Sequence, residues 1–296
     1  AALQKALFCN KEKISSLIKI ESCSIGEKRY KPGKSFKLSY TLTLRELTTS
    51  ECYEQVVTAQ LNPIGASQIS VGVCLENSAD FPFDMPSVSY LPEANMMLWS
   101  FPYDRSLPHL PKLLNTKKLS AYFKESWPNL NLLVSECIAS IQTKIMHYLP
   151  EQSCMIRYTL AIVEQATNKD SVREIIIYGK NYHDDCGVHT YAIMKQLADQ
   201  IDHCAKPLHY DAETKTLWQA HVPGNPFEWT AILLENPSMV VRVAKCIGAF
   251  HSCVIEVDRQ YGFTQISQQL ESAVNISANV DSSLSKHVQD LVAEIF

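Results

Sequence analysis

The chain has 296 residues, 46% apolar and 20% charged, and its 27 Lys and Arg against 31 Asp and Glu give a formal charge of −4. That supplies a core for two domains or one large one. It excludes the clustered basic excess of a nucleic-acid binder, and no run of eighteen apolar residues suits a membrane span.

Nine glycines leave little material for a Gly-rich nucleotide loop. The ten cysteines contain no C-x-x-C pair, which removes zinc-ribbon and thioredoxin readings. Several lie in apolar stretches, as Cys246 does, so free buried thiols in a reducing, cytoplasmic setting are expected. The opening Ala1-Ala2-Leu3-Gln4-Lys5 is no signal peptide. A start without Met and an apolar end at Phe296 suggest a segment of a longer protein.

Residues 30–44, YKPGKSFKLSYTLTL, recur at 148–162 as YLPEQSCMIRYTLAI, with six identities in fifteen positions. Chance would give about one. Leu98-Trp99 recurs as Leu217-Trp218, and Val56-Val57 stands where Ile175-Ile176-Ile177 stands later. In chain order, β-branched and aromatic enrichment predicts strands at 36–44, 55–61, 88–90 and 95–101. A helix expected between the second and third of these is lost from 64–90, where Pro82 and Pro86 interrupt it.

Helices are predicted at 117–124 and 130–148. In the second, Leu132, Leu133, Cys137, Ile141, Ile145 and Met146 keep helical spacing, and it links the copies. Strands follow at 154–163 and 172–178, then a helix at 187–201, then strands at 208–210 and 216–221. Asn236-Pro237 opens a helix to about Cys253, and 281–296 forms another. The expected class is α+β. Two tandem units, 1–135 and 136–235, each carry an antiparallel sheet with helices, and a helical segment, 236–296, follows.

The second copy has a strand ending Tyr178-Gly179-Lys180, a helix, two strands, Val222-Pro223-Gly224-Asn225-Pro226, and a helix ending Ala249-Phe250-His251. This order resembles the small lobe of the aminoglycoside phosphotransferase and choline kinase-like family, with its protein-kinase-like fold, over roughly residues 145–255. The resemblance implies that Lys180 holds the phosphates of ATP and that Ala220, His221 and Val222 face adenine. It implies Mg2+ as the nucleotide's companion and phosphoryl transfer to the hydroxyl of a small molecule. Phosphoryl transfer needs charge neutralisation and positioning, which a strand-end Lys supplies as a point charge.

The family's H-G-D-x-x-x-x-N loop is absent. His209-Tyr210-Asp211 resembles a fragment of it, but Thr216 fills the Asn position, so strand-end and turn roles are expected there. No Gly-rich loop precedes Lys180; the Tyr148-Leu149-Pro150 turn takes its place. No Glu in the first turns of the 187–201 helix can pair with Lys180, and Gln196 is the nearest polar candidate. Gln60 takes the Lys position in the first copy. These 296 residues are therefore expected to lack turnover by themselves. The alternative is a pseudokinase-like binding or scaffold module whose first copy meets a protein partner.

Two other clusters carry chemistry-bearing groups. His183-Asp184-Asp185-Cys186 with His189, His203 and Cys204 could ligate zinc or magnesium, but capping of the following helix is the favoured reading. Trp99 to Arg105 is an aromatic and charged turn, read as packing, with Arg105 pairing to Asp104 or a neighbour.

Overall fold

A computed structural model describes residues 2–8, 17–31, 35–61, 86–126, 136–164, 172–202, 204–224, 237–256 and 263–280, with Lys286 and Asp290. The protein is α+β, with two five-stranded antiparallel sheets. The first contains β1 (Ile18–Lys31), β2 (Ser35–Glu46), β3 (Cys52–Leu61), β4 (Val88–Leu91) and β5 (Met96–Ser100). The second contains β6 (Glu136–Leu149), β7 (Ser153–Glu164), β8 (Arg173–Tyr182), β9 (Pro207–Asp211) and β10 (Thr216–Ala220). The sheet orders are β1-β2-β3-β5-β4 and β6-β7-β8-β10-β9.

Among the described residues the helices are α1 (Ala2–Phe8), α2 (Leu110–Leu114), α3 (Thr116–Ser126), α4 (Cys186–Ala198), α5 (Pro237–His251) and α6 (Phe263–Val280). None is long and apolar enough to cross a membrane. The described residues fall into two compact units. One holds the first sheet, up to Phe101, with the residues beyond Glu256; the other runs from Pro102 to Glu256.

The strands β1 and β6, and likewise β2 and β7, begin and end 118 residues apart. Register carries the correspondence through the sheet. Lys37 opposes Gln60 and Gln60 opposes Met97, as Met155 opposes Lys180 and Lys180 opposes Leu217. Gln60 therefore holds the Lys180 position, as expected. The Leu-Trp landmark is one residue out of register. Trp218 opposes Gly179 and corresponds to Leu98, whereas Trp99 corresponds to Gln219. A shift of one places the two indoles on opposite faces.

The expected helix at 130–148 is the strand β6 where it is described. Bulges at Ile138/Ser140 and Ile145/His147 break its two-residue alternation, so the apolar spacing imitates a helix. Its counterpart β1 lies where no strand was expected, with a bulge at the corresponding Ile20/Ser22. Helix α1 was not foreseen either, whereas α6 falls within the helical segment expected over 236–296, though no separate helix was placed at its position. Of the expected break at 64–90, residues 64–85 lie outside the described residues, as does the 281–296 helix apart from Lys286 and Asp290, both helical.

In the first unit Leu42, Leu44, Val57, Ala59 and Leu98 are buried, and Leu7 and Phe8 of α1 join them in the core. The Gln4 side chain clips α1 to the β1 edge: Nε2 donates to Ile18 O at 2.8 Å, and Ile20 N–H donates to Oε1 at 2.8 Å. In the second unit α2 and α3 cover one sheet face. Leu107, Leu110, Leu113, Leu119 and Phe123 pack toward Ile156, Tyr158, Leu160 and Trp218, all buried. The 102–126 segment, read from the sequence as the end of the first unit, thus packs on the second sheet.

The Trp218 ring lies 5.1 Å from Tyr158 and 5.2 Å from Phe123, centroid to centroid. Gly179 makes room for it, since a Cβ there would meet an indole carbon at 2.8 Å. The eight described cysteines are unpaired, but Cys154 alone among them is buried. Cys246, expected inside, is exposed on α5.

Candidate functional site

Lys180 lies near the end of β8, between Met155 of β7 and Leu217 of β10. Directly opposed residues share a face. Met155, Lys180, Leu217 and Tyr210 therefore form one row, and Lys144, Arg157, Tyr178 and Gln219 form the next. This is the face away from Trp218. Helix α4 covers its β9 end, where Gly187 permits contact: a Cβ there would meet the Tyr210 and Tyr182 rings at 2.6 and 3.0 Å.

The Lys180 ammonium rests over the Tyr182 ring, 4.9 Å from its centroid. No ion pair holds it among the described residues. Gln196, the nearest polar candidate in the sequence, is engaged elsewhere. Its Nε2 donates to Glu256 O at 3.0 Å, and Glu256 N–H donates to its Oε1 at 2.7 Å. Gln200 holds the Val254 main chain in the same manner, at 2.9 and 3.1 Å. The two glutamines thus clip the segment 254–256 onto α4 and the turn that follows it.

After β10 the chain enters the predicted hinge. The Ala220 N–H is committed to Lys206 O at 2.8 Å. His221 and Val222 are exposed, and their main-chain groups make no hydrogen bond among the described residues. The His221 ring stacks on Tyr178, with centroids 6.0 Å apart and planes 26° apart. The aromatic platform and two main-chain groups open to a ligand lie at the end of β10, and Lys180 stands one row from Tyr178 on the same sheet face.

The turn standing in for a Gly-rich loop joins β6 to β7, and its donors are occupied. Glu151 has a left-handed φ of 59°. Its N–H donates to Asp104 Oδ2 at 2.7 Å, and Gln152 N–H donates to Leu149 O at 3.0 Å. Asp104 is buried and also accepts Tyr148 Oη at 2.7 Å, Ser106 N–H at 2.8 Å and Leu107 N–H at 3.2 Å. Burial, then the Asp104 charge, drive the Tyr148 phenol far above its usual range. Arg105 pairs with Glu151 at 3.3 Å. The charged turn after β5 is thus a clasp on the β6–β7 hairpin, a role that its spacing did not reveal.

His209 lies inside β9 and Asp211 ends it, where strand-end and turn roles were expected, and both are on the α3 side of the sheet. They line an open cleft of about 360 Å³ with Lys112, Lys118 and Tyr122. Asp211 accepts the Tyr122 hydroxyl at 2.5 Å, the Thr214 hydroxyl at 2.8 Å and the Glu213 N–H at 2.9 Å. Burial acts to raise its pKa most strongly, but these bonds together outweigh it and hold the carboxyl below its ordinary value.

Around His183, the Asp184 carboxylate accepts Cys186 N–H at 3.2 Å, which caps α4 as expected. The Asp185 side chain makes no capping bond and approaches Lys215 at 3.5 Å. The Cys186 thiol is pushed up to about 11, first by desolvation and then by Asp184, so it is no thiolate nucleophile at neutral pH. Among the described residues no three His, Cys, Asp or Glu side chains converge to hold a metal ion. His203 lies outside them.

Comparison with known proteins finds no counterpart: no protein-family model, no curated protein and no solved structure matches the chain.

Proposed function

We propose that this chain is a duplicated small-lobe region of an ATP-dependent small-molecule phosphotransferase resembling the aminoglycoside phosphotransferase family. Lys180 contacts the nucleotide's phosphates, and the main chain of His221 and Val222 meets adenine. Ala220 positions them, because its own N–H is already bonded to Lys206 O. The complete activity is phosphoryl transfer from ATP-Mg to a hydroxyl. The residues here bind nucleotide without turnover, since the sequence holds no H-G-D base loop. The described side chains offer no set of metal ligands, so no step of this proposal runs through a protein-bound magnesium.

The carrying observation is a contrast at the hinge. Phe101 N–H, the counterpart of His221 N–H, is bonded to Val56 O at 2.9 Å, whereas His221 N–H makes no such bond. An open hinge amide and an unpaired Lys thus coincide in the second unit, and both are missing from the first. Calorimetric titration of the 296-residue chain with ATP, with and without Mg2+, tests the proposal. Binding that Lys180→Ala weakens tenfold or more supports it. No binding at millimolar ATP overturns it.

That negative result would favour the second reading, a pseudokinase-like binding or scaffold module with a protein partner for the first unit. The observation on its side is the commitment of Gln196 to the Glu256 main chain instead of to Lys180.

A further inference from the structure

We propose that Arg157, with Lys144 beside it, is a second anion-binding residue that makes the Lys180 face a site for a chain of phosphates; this rests on the assignment of Lys180 to phosphate. Arg157 directly opposes both Lys144 and Tyr178, and it is diagonal to Lys180 across the β7–β8 pair. Direct neighbours on a sheet face stand roughly 5 Å apart and diagonal ones roughly 7–8 Å. The three cations therefore form a strip long enough for several phosphate groups.

Their electrostatics are unbalanced. Among the described residues neither Lys144, Arg157 nor Lys180 has an ion-pair partner. The acidic residue on this face of β7 and β8 is Glu174, opposite Ala161 and two rows from Arg157. The Arg157 Nε is buried and makes no hydrogen bond. A buried guanidinium donor without an acceptor is costly, and a bidentate anion is the partner that its fork geometry suits.

The neighbouring turn explains why side chains must carry this work. In a Gly-rich loop, successive main-chain N–H groups cradle the phosphates. Here Glu151 N–H is held by Asp104 and Gln152 N–H by Leu149 O, so neither is available. Lys144 is exposed and Arg157 half-buried, which leaves the strip accessible on the β6–β7 half of the sheet, beyond α4.

The test titrates the 296-residue chain with tripolyphosphate, ATP and adenosine, for wild type, R157Q, R157K and K144Q. R157Q should lose tenfold or more in affinity for tripolyphosphate and ATP, with adenosine binding unchanged. R157K should recover part of the loss, and K144Q should lose less than R157Q. A melting temperature for R157Q equal to that of wild type within error shows that the fold is intact. Wild-type affinity for tripolyphosphate in R157Q overturns the inference, as does absence of tripolyphosphate binding by wild type. If ATP binding depends on Lys180 but not on Arg157, the nucleotide reading stands and this one falls. If tripolyphosphate binding depends on Arg157 while adenosine never binds, the anion strip stands and the nucleotide reading falls.

Discussion

The two sheets share one strand order, yet they fill matched positions with opposite solutions. Where the first sheet sets Ala59 against Leu98, the second sets Gly179 against Trp218. Where the first sets Leu91 against Met96, the second sets Asp211 against Thr216. One backbone frame thus supports an apolar pair or a polar network, and an Ala or a Gly, provided the volume across the strand compensates. What distinguishes the units is the chemistry mounted on the frame: Gln60 against Lys180, and a bonded Phe101 amide against an open His221 amide.

The largest expected effect falls on the Gly179–Trp218 pair. Trp218→Ala should cost about 3–5 kcal/mol, because it empties the fully buried centre of the aromatic cluster. Gly179→Ala alone should cost about 1–3 kcal/mol by overpacking against the indole. In the Trp218→Ala background the Gly179→Ala cost should vanish. Chemical denaturation of all four chains measures the coupling, and additive costs would disprove the volume exchange between the sheets.

Much of this frame was legible because β2 and β7 alternate strictly between two faces, so their bounds were found to within two residues. β1 and β6 were not, since bulges interrupt their alternation. The repeat itself holds the missing information: a strand at Ser35–Glu46 matched at an offset of 118 requires the preceding strands to match as well. The position of Lys180, near the end of a strand and ahead of a helix, was legible. The isolation of Arg157, the Asp104 clasp and the capture of Gln196 by Glu256 depend on contacts between residues far apart in sequence, which no local spacing encodes. The Leu-Trp word misled because a match of residue types ignores the parity of a strand.

A smaller effect should separate the sheets by pH. The Asp211 pKa is held below its ordinary value by the Tyr122 and Thr214 hydroxyls and nearby N–H groups, against burial. A depressed carboxyl contributes stability above its unfolded pKa and loses it as pH falls through the folded one. Tyr122→Phe should therefore cost about 1 kcal/mol near neutrality and progressively less on acidification below the ordinary carboxylate range. Leu91, at the matching place in the first sheet, has nothing to titrate. Urea unfolding at pH 7 and pH 3 measures the difference, and a Tyr122→Phe cost that does not shrink at pH 3 would assign the effect to packing instead of charge.

The smallest effect belongs to the first sheet's edge. Arg45 there donates to both Glu21 oxygens, at 2.5 and 3.1 Å, where the second sheet has only Val163 and Ala139. The Arg45 hydrogen bond is the main influence lowering the Glu21 pKa, so any stability it adds exists above the ordinary carboxylate range and fades on acidification. The pair is exposed, and water and salt screen it strongly. Glu21→Gln should leave the melting temperature unchanged within error at about 0.15 M salt. The β1 edge then depends on what the structure places behind it: the Gln4 clip to Ile18 and Ile20, and the buried Leu42 and Leu44 of β2. A drop as large as that of Tyr122→Phe would instead make the edge charge a principal restraint on β1, and would divide the two sheets by how they secure an edge as well as by how they fill a core.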